Sequence, residues 1–290
     1  MITYFVSFRE QPRAGSVSTG QFVSFDDAGG GDSPKLKVVD WDKAASLVAG
    51  RTVIFAAHGF NVNQGEGVRS LARLHAHLRL DPAHVFIGVL WPGDFWIPVI
   101  NYPTESADAN RCGQHLAAVC QRHFASAAEF VFFSHSLGAR VVLTAAARLH
   151  TAAKILCLTA SAVDRDCLLN EFQAARDNAA SIRVLASRRD IVLKLAYPAG
   201  DLVADVLDKD DAFFKGALGR KGPAKPADSR VTGPWQIPDK ESDGGDYGHG
   251  DYLPGSKKSQ FGNPVEPKPV EVAAYLSRAL AGQPQPWPRQ

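Results

Sequence analysis

The chain has 290 residues, of which 45% are hydrophobic and 21% are charged, so it is long enough to bury a large core as one domain. Its 32 basic and 30 acidic residues are spread along the chain and give a formal net charge of +2 at pH 7. Because no basic patch stands out, we expect no nucleic-acid partner.

The cysteines and the apolar segments exclude several other classes of protein. The four cysteines lack C-x-x-C spacing, so we expect reduced thiols and neither a metal nor a cofactor. The N-terminus alternates like a strand and has no signal-peptide pattern, and no run of about 18 apolar residues occurs. We therefore expect a cytoplasmic protein without stable membrane insertion. The oligomeric state is not indicated.

The first half of the chain begins with two strands and then alternates strands with helices. Ile2 to Phe8 and Gln21 to Phe25 predict an antiparallel start to a sheet. Thr52 to Ala57 predicts a buried strand, and a helix with leucines on one face separates it from the strand Val85 to Leu90. A second helix has Cys112 and Cys120 on its apolar face.

The second half continues this alternation with a strand around Phe130, a helix, the strand Lys154 to Thr159, a helix near Leu168 to Ala175 and the strand Ile182 to Ala186. Strands that alternate with helices predict an α/β fold with a mostly parallel central sheet, helices on both faces and antiparallel N-terminal strands.

Beyond Asp190 the periodicity weakens until a last helix around Leu276. We predict a single domain over residues 1–281 with an irregular insertion around 195–248, followed by a Pro-rich tail at 282–290. The roles of two segments are left open. Residues 195–206 could fold over a site as a helix, and the aromatic cluster within 91–100 could form a substrate wall or ordinary core.

The segment S-H-S-L-G, residues 134–138, lies between an apolar strand and a helix. This order is that of a nucleophile elbow, in which a serine occupies a strained apex between small neighbours. Gly138 is small as required, whereas Ser134 stands where glycine is usual. The pattern predicts Ser136 as a nucleophile, with a serine that merely starts a helix as the alternative.

Enzymes with this elbow carry the nucleophile, the acid and the histidine in that chain order. Of the nine histidines only His249 lies beyond His150, so His249 is predicted as the base. It lies in a glycine-rich segment that could bring an imidazole over the sheet edge, although it could also be a surface histidine.

The acid is expected beyond the carboxyl end of a strand, where catalytic residues of open α/β sheets cluster. Asp190, which follows the strand ending at Ala186, is favoured. Asp164, which follows the strand ending at Thr159, is the alternative acid. Either aspartate could instead cap a helix or form a surface ion pair.

An oxyanion hole needs backbone N–H donors from the residue after the nucleophile and from the loop after an earlier strand. These criteria predict Leu137 and Phe60, because Gly59 frees the backbone of that loop to turn. His58 is interpreted as a residue that ties the loop down by hydrogen bonds rather than as a base.

Five motifs together resemble the α/β-hydrolase superfamily: H-G-F-N at 58–61, W-P at 91–92, S-H-S-L-G-A-R at 134–140, S-R-R-D at 187–190 and H-G-D-Y at 249–252. The resemblance covers Thr52 to Tyr252 and is greatest to bacterial esterase/lipase-like serine hydrolases of uncharacterised function with an H-G-F-N loop. It implies the α/β-hydrolase fold, a serine-hydrolase mechanism and roles for Ser136, Asp190 and His249, but it implies no substrate.

The expected function is therefore cleavage of a carboxylic ester by a Ser-His-Asp acyl-enzyme mechanism, with a small-molecule acyl ester as substrate. The alternatives are an acyltransferase or thioesterase, which would use a different acyl donor or acceptor, and a catalytically inactive α/β-hydrolase-like binding module.

Overall fold

The computed structural model describes residues 1–10, 16–27, 34–93, 102–194, 216–224, 228–255 and 267–283. Three segments discussed above lie outside these residues: the part of the aromatic cluster at 94–100, the possible covering helix at 195–206 and most of the tail, 284–290.

The N-terminal strands form the antiparallel edge of the sheet, as the sequence predicts. Strand β1 (Ile2–Arg9) pairs antiparallel with β2 (Val17–Asp26), and β2 pairs antiparallel with the short β3 (Lys37–Val38). On its other side β1 runs parallel to β5 (His84–Leu90), which joins this edge to the rest of the sheet.

The rest of the sheet is parallel. Within the described residues the strand order is β3-β2-β1-β5-β4-β6-β7-β8-β9. The further strands are β4 (Thr52–Ala57), β6 (Glu129–His135), β7 (Ala153–Thr159), β8 (Ala179–Leu185) and β9 (Val231–Thr232). Because these strands are parallel, the loops after β4, β6 and β8 all begin at the same edge of the sheet.

Helices cover both faces of the sheet. They are α1 (Trp41–Val48), α2 (Gln64–Leu78), α3 (Tyr102–His123), α4 (Gly138–Ala146), α5 (Gln173–Asp177), α6 (Leu218–Lys221) and α7 (Pro267–Leu280). Residues of β4 alternate between the two cores. Phe55 belongs to the core that contains α3 and α4, and Ile54 belongs to the core that contains α2 and α7.

Helix α2 begins at a defined position because its first turn is capped. The side chain of Asn63 accepts a hydrogen bond from the Glu66 N–H at 3.0 Å, and the Glu66 carboxylate accepts one from the Asn63 N–H at 3.0 Å. This reciprocal capping box satisfies two amides that the helix leaves unpaired. It fixes the end of the H-G-F-N loop, which connects β4 to α2.

Several elements differ from the sequence-based prediction. The helix predicted near 168–175 is mostly a series of tight turns, with hydrogen bonds such as Leu169 N–H to Asp166 O at 2.8 Å, and only α5 is helical. Helix α1 was not predicted. It has eight residues, fewer than an isolated helix needs, and it is stabilised by burial of Ala44 and Val48. Short pieces of structure, α6 and β9, also lie within the predicted insertion.

Two further expectations concern cysteines and membranes. All four cysteines are buried, and none of them forms a disulfide among the described residues. None of the helices within the described ranges is long and apolar enough to cross a membrane.

Candidate active site

Ser136 follows β6 in a left-handed backbone conformation, with φ of 54°. A non-glycine residue there costs about 1–3 kcal/mol, so the surroundings must hold it in place. The Ser136 N–H donates to the Thr159 carbonyl at 3.0 Å, and the Ser136 carbonyl accepts from the Ala162 N–H at 3.2 Å. Both bonds tie this strained turn to the end of β7.

The residues on either side of Ser136 allow a close approach of strand and helix. A Cβ at Gly138 would collide with the His58 carbonyl oxygen and would lie 2.9 Å from that of Ala57. Ser134 is fully buried, and its hydroxyl has no hydrogen-bond partner among the residues that the structure describes. A serine therefore fits where glycine is usual. We call residues 134–138 the elbow.

The structure brings Ser136, His249 and Asp190 into a continuous chain of hydrogen bonds. The Nε2 atom of His249 lies 2.9 Å from Ser136 Oγ, and its Nδ1 atom lies 2.8 Å from Asp190 Oδ2. With the proton on Nδ1, the ring donates to the carboxylate, and Nε2 is left free to accept the serine proton.

Asp190 is fully buried, and its second carboxylate oxygen accepts the Leu193 N–H at 2.9 Å. Since Asp190 and Ser136 occupy the two ring nitrogens of His249, no nitrogen remains for Asp164. That residue forms an isolated β-bridge with Ala217. Of the two aspartates weighed from the sequence, the structure places Asp190 at the histidine.

His249 begins a short 3-10 turn in residues 246–252, which we call the base loop. The side chain of Asp251 accepts the Gly248 N–H at 2.8 Å and so closes the turn. Lys268, in α7, donates to the Asp251 carboxylate at 2.9 Å and to the Asp246 carbonyl at 2.7 Å. The base loop is thus fastened to a helix at two points.

A further bond connects the base loop to the segment that carries the acid. Ser187, which follows β8, donates its hydroxyl proton to the Tyr247 carbonyl at 2.6 Å. Tyr247 is buried, and its hydroxyl lies 2.9 Å from the Glu271 carboxylate. The segments that carry Asp190 and His249 are therefore joined directly by a hydrogen bond.

The H-G-F-N loop, residues 58–61, lies against the elbow. A Cβ at Gly59 would lie 2.9 Å from the Cβ of Ser136, so the backbone of this loop passes beside Ser136. Asn61 has φ of 56°, and the indole N–H of Trp91 donates to the His58 carbonyl at 2.8 Å. The N–H of Leu137 belongs to the turn that begins α4.

His58 is fully buried, and its Nδ1 atom lies 2.9 Å from the Gly59 carbonyl oxygen. Desolvation, with a smaller contribution from the positive charge of Arg9, lowers the pKa of His58 to about 3. The ring is therefore neutral at physiological pH. This contact agrees with the interpretation of His58 as a residue that ties its loop down.

One residue of the site was not singled out from the sequence. His135, which precedes Ser136, has its Nε2 atom 2.7 Å from the carbonyl oxygen of His249. The only sequence signal is its position as the variable residue inside the elbow, a position that the motif leaves unrestricted.

Among the residues with described positions, no group of three or more His, Cys, Asp or Glu side chains could hold a metal ion.

Comparison with known families identifies the class of protein. The family described as "Alpha/beta hydrolase of unknown function (DUF900)" matches residues 42–205, which is more than half of the chain. The chain belongs to this alpha/beta hydrolase family. The match confirms the fold class predicted from the sequence, and membership in DUF900 supports a hydrolase. The family description leaves the reaction and the substrate open.

The solved structures that resemble this chain have low sequence identity to it. An inhibited esterase B from Lactobacillus rhamnosis is 9% identical, with a TM-score of 0.45, over 97% of this chain and 87% of that one. Carboxyl esterase 2 from Tuber melanosporum is 15% identical, with a TM-score of 0.40, over 96% and 87%. A comparison with curated protein sequences finds no match.

Proposed function

We propose that this protein is a serine hydrolase that cleaves carboxylic esters through an acyl-enzyme intermediate. One observation carries the proposal: Ser136 Oγ, His249 and the buried Asp190 are joined by hydrogen bonds of 2.9 and 2.8 Å, with the serine in the strained conformation of an elbow. Chain order and geometry agree on the same three residues.

In the first step His249 removes the proton of Ser136 as the hydroxyl oxygen attacks the acyl carbonyl. The new C–O bond gives a tetrahedral intermediate, and the Asp190 carboxylate stabilises the imidazolium that forms. His249 then returns its proton to the alkoxide leaving group as the ester bond breaks. Water attacks the acyl-enzyme by the same route and restores the serine.

The negative charge of the intermediate requires donors beside Ser136. The two proposed donors are the N–H groups of Leu137, at the start of α4, and of Phe60, in the loop that passes beside Ser136. Support comes from the close approach of Gly59 to the nucleophile. Each donor of this kind lowers the barrier by about 3 kcal/mol.

An ester is the proposed substrate because an alkoxide leaves more readily than an amine from the tetrahedral intermediate. Thioesters and lactones would react at the same residues by the same sequence of proton transfers. A panel of p-nitrophenyl esters of increasing acyl length, run beside acyl thioesters, measures this preference directly.

The test of the proposal is covalent labelling by a fluorophosphonate probe together with p-nitrophenyl ester hydrolysis. We expect the protein to be labelled, Ser136→Ala to lose all labelling, and ester hydrolysis to fall by about 10⁶-fold. The matched control is Ser161→Ala, since Ser161 is buried like Ser136 but its hydroxyl has no hydrogen-bond partner among the described residues.

Two outcomes contradict the proposal. An unlabelled wild-type protein would favour a binding module that has kept the fold without turnover. Labelling that persists in Ser136→Ala would place the nucleophile elsewhere. If the acyl-enzyme forms but an added alcohol outcompetes water, the protein is an acyltransferase with the same catalytic residues.

A further inference from the structure

His135 contacts the base itself rather than a neighbour of the base. Its Nε2 atom lies 2.7 Å from the carbonyl oxygen of His249, and the two imidazole centroids are 4.9 Å apart. The contacts of Lys268 and Ser187, by comparison, reach Asp246, Tyr247 and Asp251. His135 is thus bonded to the backbone of the residue that accepts the serine proton.

The tautomer of His135 follows from its partner. A carbonyl oxygen only accepts hydrogen bonds, so the Nε2 atom must carry the proton that it donates. Desolvation and the nearby His249 lower the pKa of His135 to about 3, so its ring is neutral near pH 7. The proton is then absent from Nδ1.

The other edge of the His135 ring faces the H-G-F-N loop. A Cβ at Gly59 would lie 2.8 Å from Nδ1 of His135 and 2.9 Å from the Cβ of Ser136. The ring therefore fills the space between this loop and the base loop. Since His135 directly precedes Ser136, a single element orients the nucleophile and contacts both loops.

We propose that His135 is a positioning residue: its Nε2–H holds the His249 carbonyl and thereby sets the distance from the His249 imidazole to Ser136 Oγ. The inference rests on the proposed serine-hydrolase function. It assigns a role to the residue that precedes the nucleophile, beyond the three residues that transfer protons.

Three substitutions separate the hydrogen bond from the volume of the ring. His135→Gln places an amide N–H near the position of Nε2 and retains a donor for the His249 carbonyl. His135→Asn places its amide near the position of Nδ1, one bond too short to reach that carbonyl. His135→Leu removes both nitrogens and keeps an apolar side chain in the gap.

The measurement is the second-order rate of fluorophosphonate labelling of the folded fraction, with kcat and KM for a p-nitrophenyl ester. We expect His135→Leu and His135→Asn to lower the labelling rate and kcat by about tenfold to a hundredfold with little change in KM. His135→Gln should remain within about threefold of the wild type.

The matched control is His75→Leu. His75 is also half-buried and has its Nδ1 atom 3.0 Å from a hydroxyl, that of Thr3, but it lies away from the elbow. This variant should lose thermal stability and keep the wild-type labelling rate. If His135 acts on stability alone, the labelling rates of its variants should follow their melting temperatures, and His135→Gln should have no advantage over His135→Asn.

A second measurement uses the wild-type protein, so it does not depend on whether any variant folds. Long-range ¹H–¹⁵N spectra of the wild type should show His135 as the neutral tautomer protonated on Nε2, and protonation on Nδ1 would overturn the inference. Wild-type labelling rates in His135→Leu would overturn it too while the hydrolase proposal stands. Failure of the wild type to label at all would overturn both.

Discussion

The elbow and the base loop meet at two hydrogen bonds, between Ser136 Oγ and His249 Nε2 and between His135 Nε2 and the His249 carbonyl oxygen, but different kinds of contact hold them elsewhere. The elbow, residues 134–138, is fixed by the backbone hydrogen bonds of Ser136 and by close packing, since Gly138 and Gly59 leave no space for a methyl group. The base loop, residues 246–252, is fixed by hydrogen bonds from Lys268, Ser187 and His135. The geometry of the elbow therefore depends on the lack of a side chain at two glycines, whereas the geometry of the base loop depends on polar groups.

This difference predicts different responses to substitution. A steric requirement fails at once, because an added atom must displace backbone. Hydrogen bonds contribute about 1 kcal/mol each and can be lost one at a time. Substitutions that add atoms at the glycines should therefore have large effects on both stability and kcat, and substitutions that remove single hydrogen bonds around the base loop should have smaller, graded ones.

Among substitutions other than those at Ser136, the largest effect is expected where the chain of hydrogen bonds ends, at Asp190. Asp190→Asn replaces an acceptor of the His249 Nδ1–H by an amide that can donate, and so favours the wrong tautomer. We expect kcat for ester hydrolysis to fall by about 10⁴-fold. Asp164→Asn is the matched control and should remain within about threefold of wild type. Equal losses in both variants would contradict the assignment of the acid.

Paired glycine substitutions test the steric side of the comparison. Gly138→Ala should destabilise the protein by about 1–3 kcal/mol and reduce kcat by about 100-fold, because the new methyl group collides with the His58 carbonyl. Gly250→Ala, in the base loop, has nothing within 4 Å of the added Cβ and should be nearly neutral. Urea unfolding and steady-state kinetics measure both, and a tolerated alanine at 138 would refute the packing argument.

Acidification should lower the free energy of unfolding through His58, which lies in the H-G-F-N loop beside the elbow. Its pKa is about 3 in the folded protein, against 6.5 for a solvent-exposed histidine, so between these values the unfolded chain binds the extra proton. Stability therefore falls as pH drops below about 6.5. We expect His58→Gln to shrink the difference in unfolding free energy between pH 7 and pH 5 by about 2 kcal/mol.

Urea unfolding at the two pH values measures this effect. Comparing the pH difference, rather than stability at one pH, separates the protonation of His58 from any loss of packing in His58→Gln. A substitution at the exposed His150, His150→Gln, is the control and should reproduce the wild-type difference. An unchanged difference in His58→Gln would show that another group carries the proton uptake.

The smallest effect is expected from one anchor of the base loop. Lys268→Met removes the bonds to Asp251 and to the Asp246 carbonyl, and should cost about 1 kcal/mol and less than tenfold in kcat. Lys154→Met, which breaks the ion pair with Glu129 near the opposite ends of the strands, should cost similar stability and no activity. A hundredfold loss in Lys268→Met would mean that the base loop is not held by graded contacts.

Local sequence patterns predicted the parallel strands and most of the site. The run 53–57 is uniformly apolar because β4 is buried on both faces, and the structure gives this strand the predicted bounds, Thr52–Ala57. The prediction of His249 as the base followed from chain order alone. The turns at 165–172 and helix α1 were not predicted, because tertiary packing rather than local periodicity decides their conformation.

The sequence by itself determined the fold class, and it predicted the elbow around Ser136 and the chain order of the candidate nucleophile, acid and base. These depend on local backbone requirements and on hydrophobic period, which neighbouring residues encode. The sequence favoured Asp190 over Asp164, but only tertiary structure decided that Asp190 reaches His249 and that His135 lies within hydrogen-bond distance of the His249 carbonyl oxygen. Such contacts join residues far apart in the chain, and their distances depend on how the strands pair and how the loops pack.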